Sequence, residues 1–483
     1  MSAFAPFFSA CAPSTVSEAT PTSTGFMDGV RTAELIASGE LTSLEATNAA
    51  IARAEAVNDK INAIATPGFD AARERAADAP QGALGGVPTF IKDLADWKGL
   101  PSLLGSRAFV GHLPPEDGPL AKVWRDTLGI VALGKSTSPE MGLISSTEPV
   151  VTGPTRNPWN TDHIPGGSSG GAAALTAARV VPFAHASDGG GSIRIPAACC
   201  GLFGLKPSYL ASPIGRTNQE GNPVNISVDL AVSNTVRDSA AIFAATARLA
   251  GQDAFVSSPS TRRLRIGYAL APLTDTPLHA EVAYELDRTA QLCRDLGHEV
   301  IDYVPPTDGD EFSDKFLLYW SAGAAQFAQD ASAFTGKPPS PEILEPWTLG
   351  LAQNFLGRAT EMEATIAYLQ AFKAEYNDWF AAGNFDVLLT PTVATPAPRI
   401  GTQDPTGEFE TVMKNVLDFA AFTSPMNVAG AASMSVPLGM SSDGLPIASM
   451  FSGREGDDLM LLGLAYELEE ARPWIDRRPA IIA

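Results

Sequence analysis

The chain has 483 residues, 45% of them hydrophobic, enough to bury a large core without a disulfide or metal staple. Its 54 acidic and 33 basic side chains leave a formal net charge of -21, which repels phosphate backbones and anionic lipid surfaces. Nucleic-acid and membrane partners are disfavoured on that ground, and no run approaches the roughly 18 apolar residues of a membrane span.

Residues 1 to 25 are rich in Ala, Ser, Thr and Pro and are expected to form a disordered arm. Phe8-Ser9-Ala10-Cys11 has the look of a lipoprotein cleavage site, but no basic segment and no long apolar segment precedes it. Thr42-Ser43-Leu44-Glu45 has the form of a capping box, and Leu44, Thr47, Ile51 and Ala54 follow at helical spacing, so the pattern predicts an amphipathic helix over residues 43–57. Val87 to Ile91 reads as a short buried strand that delivers Lys92 at its end, and Ile130 to Leu133 as another that delivers Lys135.

Residues 164–207 hold the densest serine and glycine of the chain. Gly166 to Gly171 form a Gly-Gly-Ser-Ser-Gly-Gly loop and Asp188 to Ser192 an Asp-Gly-Gly-Gly-Ser loop, joined by a small-residue helix and the strand-like run Val180 to Ala186. Two hydroxyl-bearing loops are thus brought back toward each other. Glycine lets the backbone turn sharply and approach a ligand closely, so that successive N–H groups can face one developing negative charge. This stretch reads as an active site, with a proton carrier in the first loop and, in the second, Ser192 as nucleophile. The N–H groups of Gly189, Gly190, Gly191 and Ser192 form the expected oxyanion hole.

Beyond Pro207 the pattern predicts polar loops through residue 230, a helix over Val236 to Ala250, a strand at Leu264 to Tyr268, and a helix near His279 to Leu296 stopped by Gly297. Residues 305–380 are helical and carry Phe316, Tyr319, Trp320, Phe327, Trp347 and Phe355, which serve either as helix core or as walls of a substrate pocket. Phe385 to Leu389 and Ser433 to Leu438 read as strands, with Ser441-Ser442-Asp443-Gly444 a hairpin turn into Leu445 to Phe451. Alternating strands and helices favour an α/β sandwich around a mostly parallel sheet.

The four cysteines are Cys11, Cys199, Cys200 and Cys293, and the adjacent pair is poorly placed to bridge or to form a spaced metal motif. Reduced, buried thiols in a cytoplasmic protein are the expectation. The five histidines show no metal-ligand spacing, so no cofactor and no metal is implied. Nothing in the sequence sets an oligomeric state.

Two other motifs compete for the chemistry. Gly167 to Gly171 matches the G-x-S-x-G elbow of an α/β-hydrolase-type esterase, with Ser169 central and Asp229 and His298 downstream, although Asn160 to Pro165 is no buried strand. Gly129 to Ser136 matches a phosphate-binding P-loop, but its Ile-Val-Ala-Leu interior is strand-forming. A non-catalytic binding protein of the same fold is a third possibility.

Gly85-Gly86-Val87-Pro88 with Ile91-Lys92-Asp93, Gly134 to Glu140, Thr155-Arg156-Asn157-Pro158-Trp159-Asn160, Gly189 to Pro196 and Gly204-Leu205-Lys206-Pro207 together resemble the amidase signature family, serine hydrolases that cleave amides and related acyl bonds. A weaker echo in Pro425-Met426-Asn427-Val428 and Ser435 to Gly439 extends the resemblance over most of the chain. Ser146 to Pro149 and Trp474 to Pro479 look most like the bacterial branch with 6-aminohexanoate cyclic dimer hydrolase and urethane- and anilide-cleaving amidases. The resemblance implies an α/β/α sandwich with a mixed sheet flanked by helices, one domain over residues 26–483, and a pocket region over 305–420. It also implies a Ser-cis-Ser-Lys triad: Lys92 as base, Ser168 as relay after a cis peptide from Gly167, and an acyl-enzyme on Ser192. A lysine is a base only when neutral, and burial favours that form. Asp188 and Arg194 then form an ion pair bracing the loop, while Ser169 orients Lys92 or bonds its own loop. The implied partner is a small-molecule amide, anilide or carbamate, with no cofactor. Three departures bear on loop rigidity and pocket shape: Gly189 where the family usually has a side chain, Pro101 to Ser106 in place of a Thr-Thr pair, and Ala431 where proline is common.

Overall fold

A computed structural model describes residues 27–211, 223–247 and 255–483. The arm expected over residues 1–25, with Cys11, lies outside the described residues. The strands are β1 (Ile64–Pro67), β2 (Pro88–Lys92), β3 (Val131–Ser136), β4 (Phe183–Asp188), β5 (Phe203–Lys206), β6 (Val228–Ser233), β7 (Arg265–Tyr268), β8 (Glu299–Asp302), β9 (Val387–Pro391), β10 (Ser433–Met440) and β11 (Pro446–Ser452). Eight of them form a sheet in the order β4-β6-β5-β10-β11-β9-β7-β8, and three form a second in the order β1-β3-β2.

Strands β2, β4, β5, β6, β9 and β11 are buried along their whole length, as strands covered on both faces are. The architecture is the expected α/β arrangement with a mixed sheet, but it is not mostly parallel. Among the described residues only β2–β3, β7–β9 and β7–β8 pair in parallel, whereas β1–β3, β4–β6, β5–β6, β5–β10, β10–β11 and β9–β11 are antiparallel. The physical reason lies partly in β6, whose first half occupies residues expected to be loop, and partly in the tight β10–β11 hairpin, which two neighbouring strands can close only antiparallel.

The two sheets meet at a seam between β2 and β4. Thr89 Oγ1 donates to the Phe183 carbonyl at 2.8 Å, and the Lys92 N–H donates to His185 Nδ1 at 3.2 Å. Between them runs the helix Gly170–Ala177, whose residues are all buried and, Leu175 apart, small. Its Gly171 allows a close approach that no side chain would: a Cβ there would sit 2.4 Å from the Thr137 nitrogen. Small residues at this helix therefore bring the loop bearing Ser168 and Ser169 onto the seam.

The first predicted helix spans Ser43–Ile61, with the capping box formed between Thr42 and Glu45. It runs past residue 57 because Ile61 is fully buried and Asn62, at φ 48°, supplies a left-handed stop whose N–H returns to the Asn58 carbonyl at 2.7 Å. The aromatic-rich segment forms three helices, Gly309–Thr335, Pro346–Arg358 and Met362–Gly383. Because the Thr42 side chain bonds Glu45 and none of the serine or lysine groups of the seam, Thr42→Ala is expected to lower stability by about 1 kcal/mol. Urea midpoints and turnover on the same preparations check this, the midpoint falling while turnover stays unchanged.

Candidate active site

Lys92 ends β2 with its side chain fully buried, and its Nζ donates to Ser168 Oγ at 2.7 Å and to Ser187 Oγ at 2.9 Å. The peptide between Gly167 and Ser168 is cis. Ser187 is a contact that sequence reasoning missed. The signal was present: residues two apart on a strand share a face, so His185 and Ser187 of β4 both look toward β2. Since His185 Nδ1 accepts the Lys92 N–H, its proton lies on Nε2, which donates to Asp229 Oδ1 at 3.1 Å. Burial pushes this imidazole below its ordinary value, in keeping with a neutral ring.

Ser169 does not reach Lys92. Its Oγ donates to the Ser187 carbonyl at 3.3 Å, so it ties the first loop to the end of β4. Lys135 points elsewhere, donating to the Ala95 carbonyl and, at 3.1 Å, to Ser102 Oγ. Burial lowers its pKa to about 8 against the opposing charge of Asp93. The two lysines thus come from neighbouring strands but bond different groups.

The second loop is shaped by Asp188, the last residue of β4. Its carboxylate accepts the N–H groups of Gly191 at 2.8 Å and Ile193 at 3.1 Å, and a paired contact from Arg194 through Nε at 2.9 Å and Nη2 at 3.0 Å. Asn427 closes the network, donating to Asp188 Oδ1 at 2.9 Å and accepting from Arg194 Nη2 at 2.7 Å. Burial alone would raise the Asp188 pKa, but the Arg194 charge and bonds, Lys206 and Asn427 outweigh it and hold the carboxyl well below the usual range. Asp188 and Arg194 are therefore the expected ion pair, and Asn427, in the C-terminal echo, is its third member.

One expected oxyanion donor is already committed. The Gly191 N–H bonds Asp188, while among the described residues the N–H groups of Gly189, Gly190 and Ser192 carry no hydrogen bond. The cause is local: a carboxylate three residues upstream captures the amide, as short aspartate side chains do with nearby backbone N–H groups. Gly191 has φ 135°, and a Cβ there would strike Thr423 Oγ1 at 2.4 Å, so glycine is required for the turn. Thr423 Oγ1 in turn donates to the Gly190 carbonyl.

Ser192 is 9% exposed and lines a cavity of about 500 Å³ together with Gly167, Gly190, Phe316, Trp320 and Trp347. Its hydroxyl makes no hydrogen bond among the described residues, to Ser168 or to any other. Tyr319 is not on the cavity wall; its hydroxyl donates to the Val224 carbonyl at 2.7 Å. The competing constellations are dispersed. Ser169 bonds Ser187, Asp229 bonds His185, and His298 bonds the Leu264 N–H and Glu467, so these three form no triad. Residues 131–136 of the P-loop match are strand β3.

A serine loop at the end of a sheet strand, opening into a cavity of ligand size beside a second serine held by a buried amine, is the build of a hydrolase. Comparison with known proteins narrows the class. A family model described as Amidase matches residues 45–462. The putative amidase AmiC of Mycobacterium tuberculosis is 40% identical over 460 residues, covering 93% of this chain and 95% of its own. Among solved structures, 6-aminohexanoate cyclic dimer hydrolase complexed with substrate superposes with a TM-score of 0.83 at 30% identity, covering 95% of this chain and 99% of that one. A bacterial aryl acylamidase superposes with a TM-score of 0.79 at 28% identity, covering 93% and 97%. The chain belongs to the amidase signature family and is an amidase, a hydrolase of amide bonds.

The Asp188 pKa lies below its unfolded value of about 3.9, so its stabilisation is complete above that pH and is lost as pH falls toward the folded value. Asp188→Asn leaves Arg194 buried without a charge partner and is expected to cost about 3 to 5 kcal/mol at neutral pH. Urea titrations from pH 7 to 3 check both: a lower midpoint at pH 7, and a shallower decline below pH ~4 than in the parent.

Proposed function

We propose that this amidase cleaves amide, anilide or carbamate bonds through an acyl-enzyme on Ser192, with Ser168 as proton relay and Lys92 as base. The carrying observation is the 2.7 Å contact between Lys92 Nζ and Ser168 Oγ, wholly inside the protein, beside a cavity whose wall includes Ser192. In the first step Ser192 Oγ bonds the substrate carbonyl carbon, its proton passes to Ser168 Oγ, and the Ser168 proton passes to neutral Lys92. The oxyanion is stabilised by the uncommitted N–H groups of Gly189, Gly190 and Ser192. As the tetrahedral centre collapses, the C–N bond breaks and the relay returns the proton to the departing nitrogen. Water then attacks the ester by the same route, which releases the acid and restores Ser192. The Ser192 hydroxyl closes onto Ser168 when substrate fills the cavity, as catalytic hydrogen bonds commonly tighten on binding.

The cavity walls favour substrates with a bulky or aromatic part, since Phe316, Trp320 and Trp347 supply apolar surface that the glycine loops lack. The likeness to an aryl acylamidase points the same way. Buried free thiols at Cys199, Cys200 and Cys293 support a reducing, cytoplasmic setting.

Ser192→Ala is expected to lose hydrolysis of a nitroanilide by on the order of 10⁴-fold or more. Retained hydrolysis would refute the assignment. Lys92→Ala should lose most turnover with folding preserved, and the parent's kcat/KM should rise with pH as the base becomes neutral. Lys135→Ala, outside this relay, should lower stability more than turnover; equal damage to turnover from both, with folding intact, would remove the distinction between them.

A further inference from the structure

The loop bearing Ser192 is covered by a row of rings. Phe312, Phe316 and Trp320 stand four residues apart on the helix Gly309–Thr335, so they share one face, and their centroids stack at 6.1 and 5.8 Å. All three line the same cavity as Ser192. The row meets the loop where the loop has no side chains: a Cβ on Gly189 would sit 3.3 Å from Trp320 Cζ3, and one on Gly190 would sit 3.3 Å from Phe316 Cζ. Both distances are shorter than ordinary van der Waals contact.

The far edge of the Trp320 indole is also fixed. Its Nε1–H donates to the Leu143 carbonyl at 3.2 Å. Leu143 adjoins Gly142, whose Cβ position lies only 2.9 Å from Ser168 Oγ. One rigid ring therefore spans from the loop carrying Ser192 to the segment that backs Ser168. A row of rings serving only as core would be closed over by other side chains, yet Phe316 and Trp320 keep part of their surface on the cavity.

We propose that Trp320 is a positioning and specificity-determining residue, with Gly189 as its steric complement. The indole sets the spacing between the Ser192 loop and the Ser168 segment, and its exposed face packs against the aromatic part of a substrate. The proposal rests on Ser192 being the nucleophile. Its distinctive consequence is coupling: a Cβ at residue 189 crowds the indole at residue 320 by a few tenths of an ångström, so the harm of one change is relieved by the other.

The test measures kcat and KM for Gly189→Ala, Trp320→Leu and the double variant on a nitroanilide and on a small aliphatic amide. Trp320→Leu removes the ring atoms nearest Gly189, and the Leu143 carbonyl keeps a donor because Trp347 Nε1–H also reaches it, at 3.1 Å. Gly189→Ala is expected to lower kcat by about 10- to 100-fold, the scale set by small misplacements of reacting groups. The double variant should recover most of that loss. Trp320→Leu alone should reduce the preference for the nitroanilide over the aliphatic amide by roughly tenfold, which a loss of stability alone would not do. A double variant no better than the product of its parents, or a Gly189→Ala variant with unchanged kcat, overturns the proposal. If Gly189→Ala does not fold, the substrate ratio of Trp320→Leu decides alone, and an unchanged ratio overturns it. Ser192→Ala in the same assay tests the underlying reading separately, since its activity does not depend on the ring.

Discussion

A lysine amine with no exposed surface, held against two serine hydroxyls at a seam between two sheets, is the constraint on which the rest of the structure depends. Removing a charge from water is costly, so a buried lysine persists only where fixed oxygens satisfy its donors and the backbone around it has no freedom to withdraw them. Three elements meet that demand here. Strand β2 carries Lys92, strand β4 presents Ser187 and anchors the Lys92 N–H through His185, and the loop before the small-residue helix presents Ser168. The small side chains of residues 170–177 follow from the same demand, because a bulkier helix would hold that loop away from the seam.

The loop bearing Ser192 is organised by a different buried charge. Asp188 gathers loop N–H groups, the Arg194 guanidinium and the Asn427 amide into one closed network. Breaking such a pair is far more harmful than its net contribution suggests, because the partner left behind is a buried charge without compensation. Its value is in fixing which amides face the cavity and which do not. Gly191 is turned inward to Asp188, and that capture sets the direction of the amides on either side of it. Lys206, buried nearby and lowered to about 7 by burial and by Arg194, shows how crowded with charge this end of the sheet is.

Much of this was legible in the sequence because it rests on residue types that few other roles require. The two serine-glycine loops point to an acyl-transfer site by themselves, whereas the roles expected of Lys92 and Ser168 and the Asp188–Arg194 pair come from the resemblance to the amidase signature family. The capping box at Thr42 and the hairpin at Ser441 to Gly444 were equally readable, since caps and turns are decided by a few local residues. What escaped was set by three-dimensional packing. Strand β6 follows directly on a polar stretch, and its antiparallel pairing with β4 and β5 changes the sense of the sheet. Ser187 reads as an ordinary strand residue, Ser169, expected to orient Lys92 or to bond its own loop, bonds the end of β4 instead, and Tyr319 shares a helix with Trp320 but faces another side. The glycine at residue 189 reads as added loop freedom, whereas a side chain there would press on the indole of Trp320.

The central claim is that the carbonyl carbon of the substrate is transferred to Ser192 and to no other hydroxyl of the two loops. The most direct measurement is mass spectrometry of the protein incubated with a slowly released aryl carbamate, followed by mapping of the adduct to a peptide and a residue. The account predicts one carbamoyl group per chain, carried on Ser192 and released as activity returns. An adduct on Ser168 or Ser169, or steady turnover with no adduct accumulating on any serine, would contradict it.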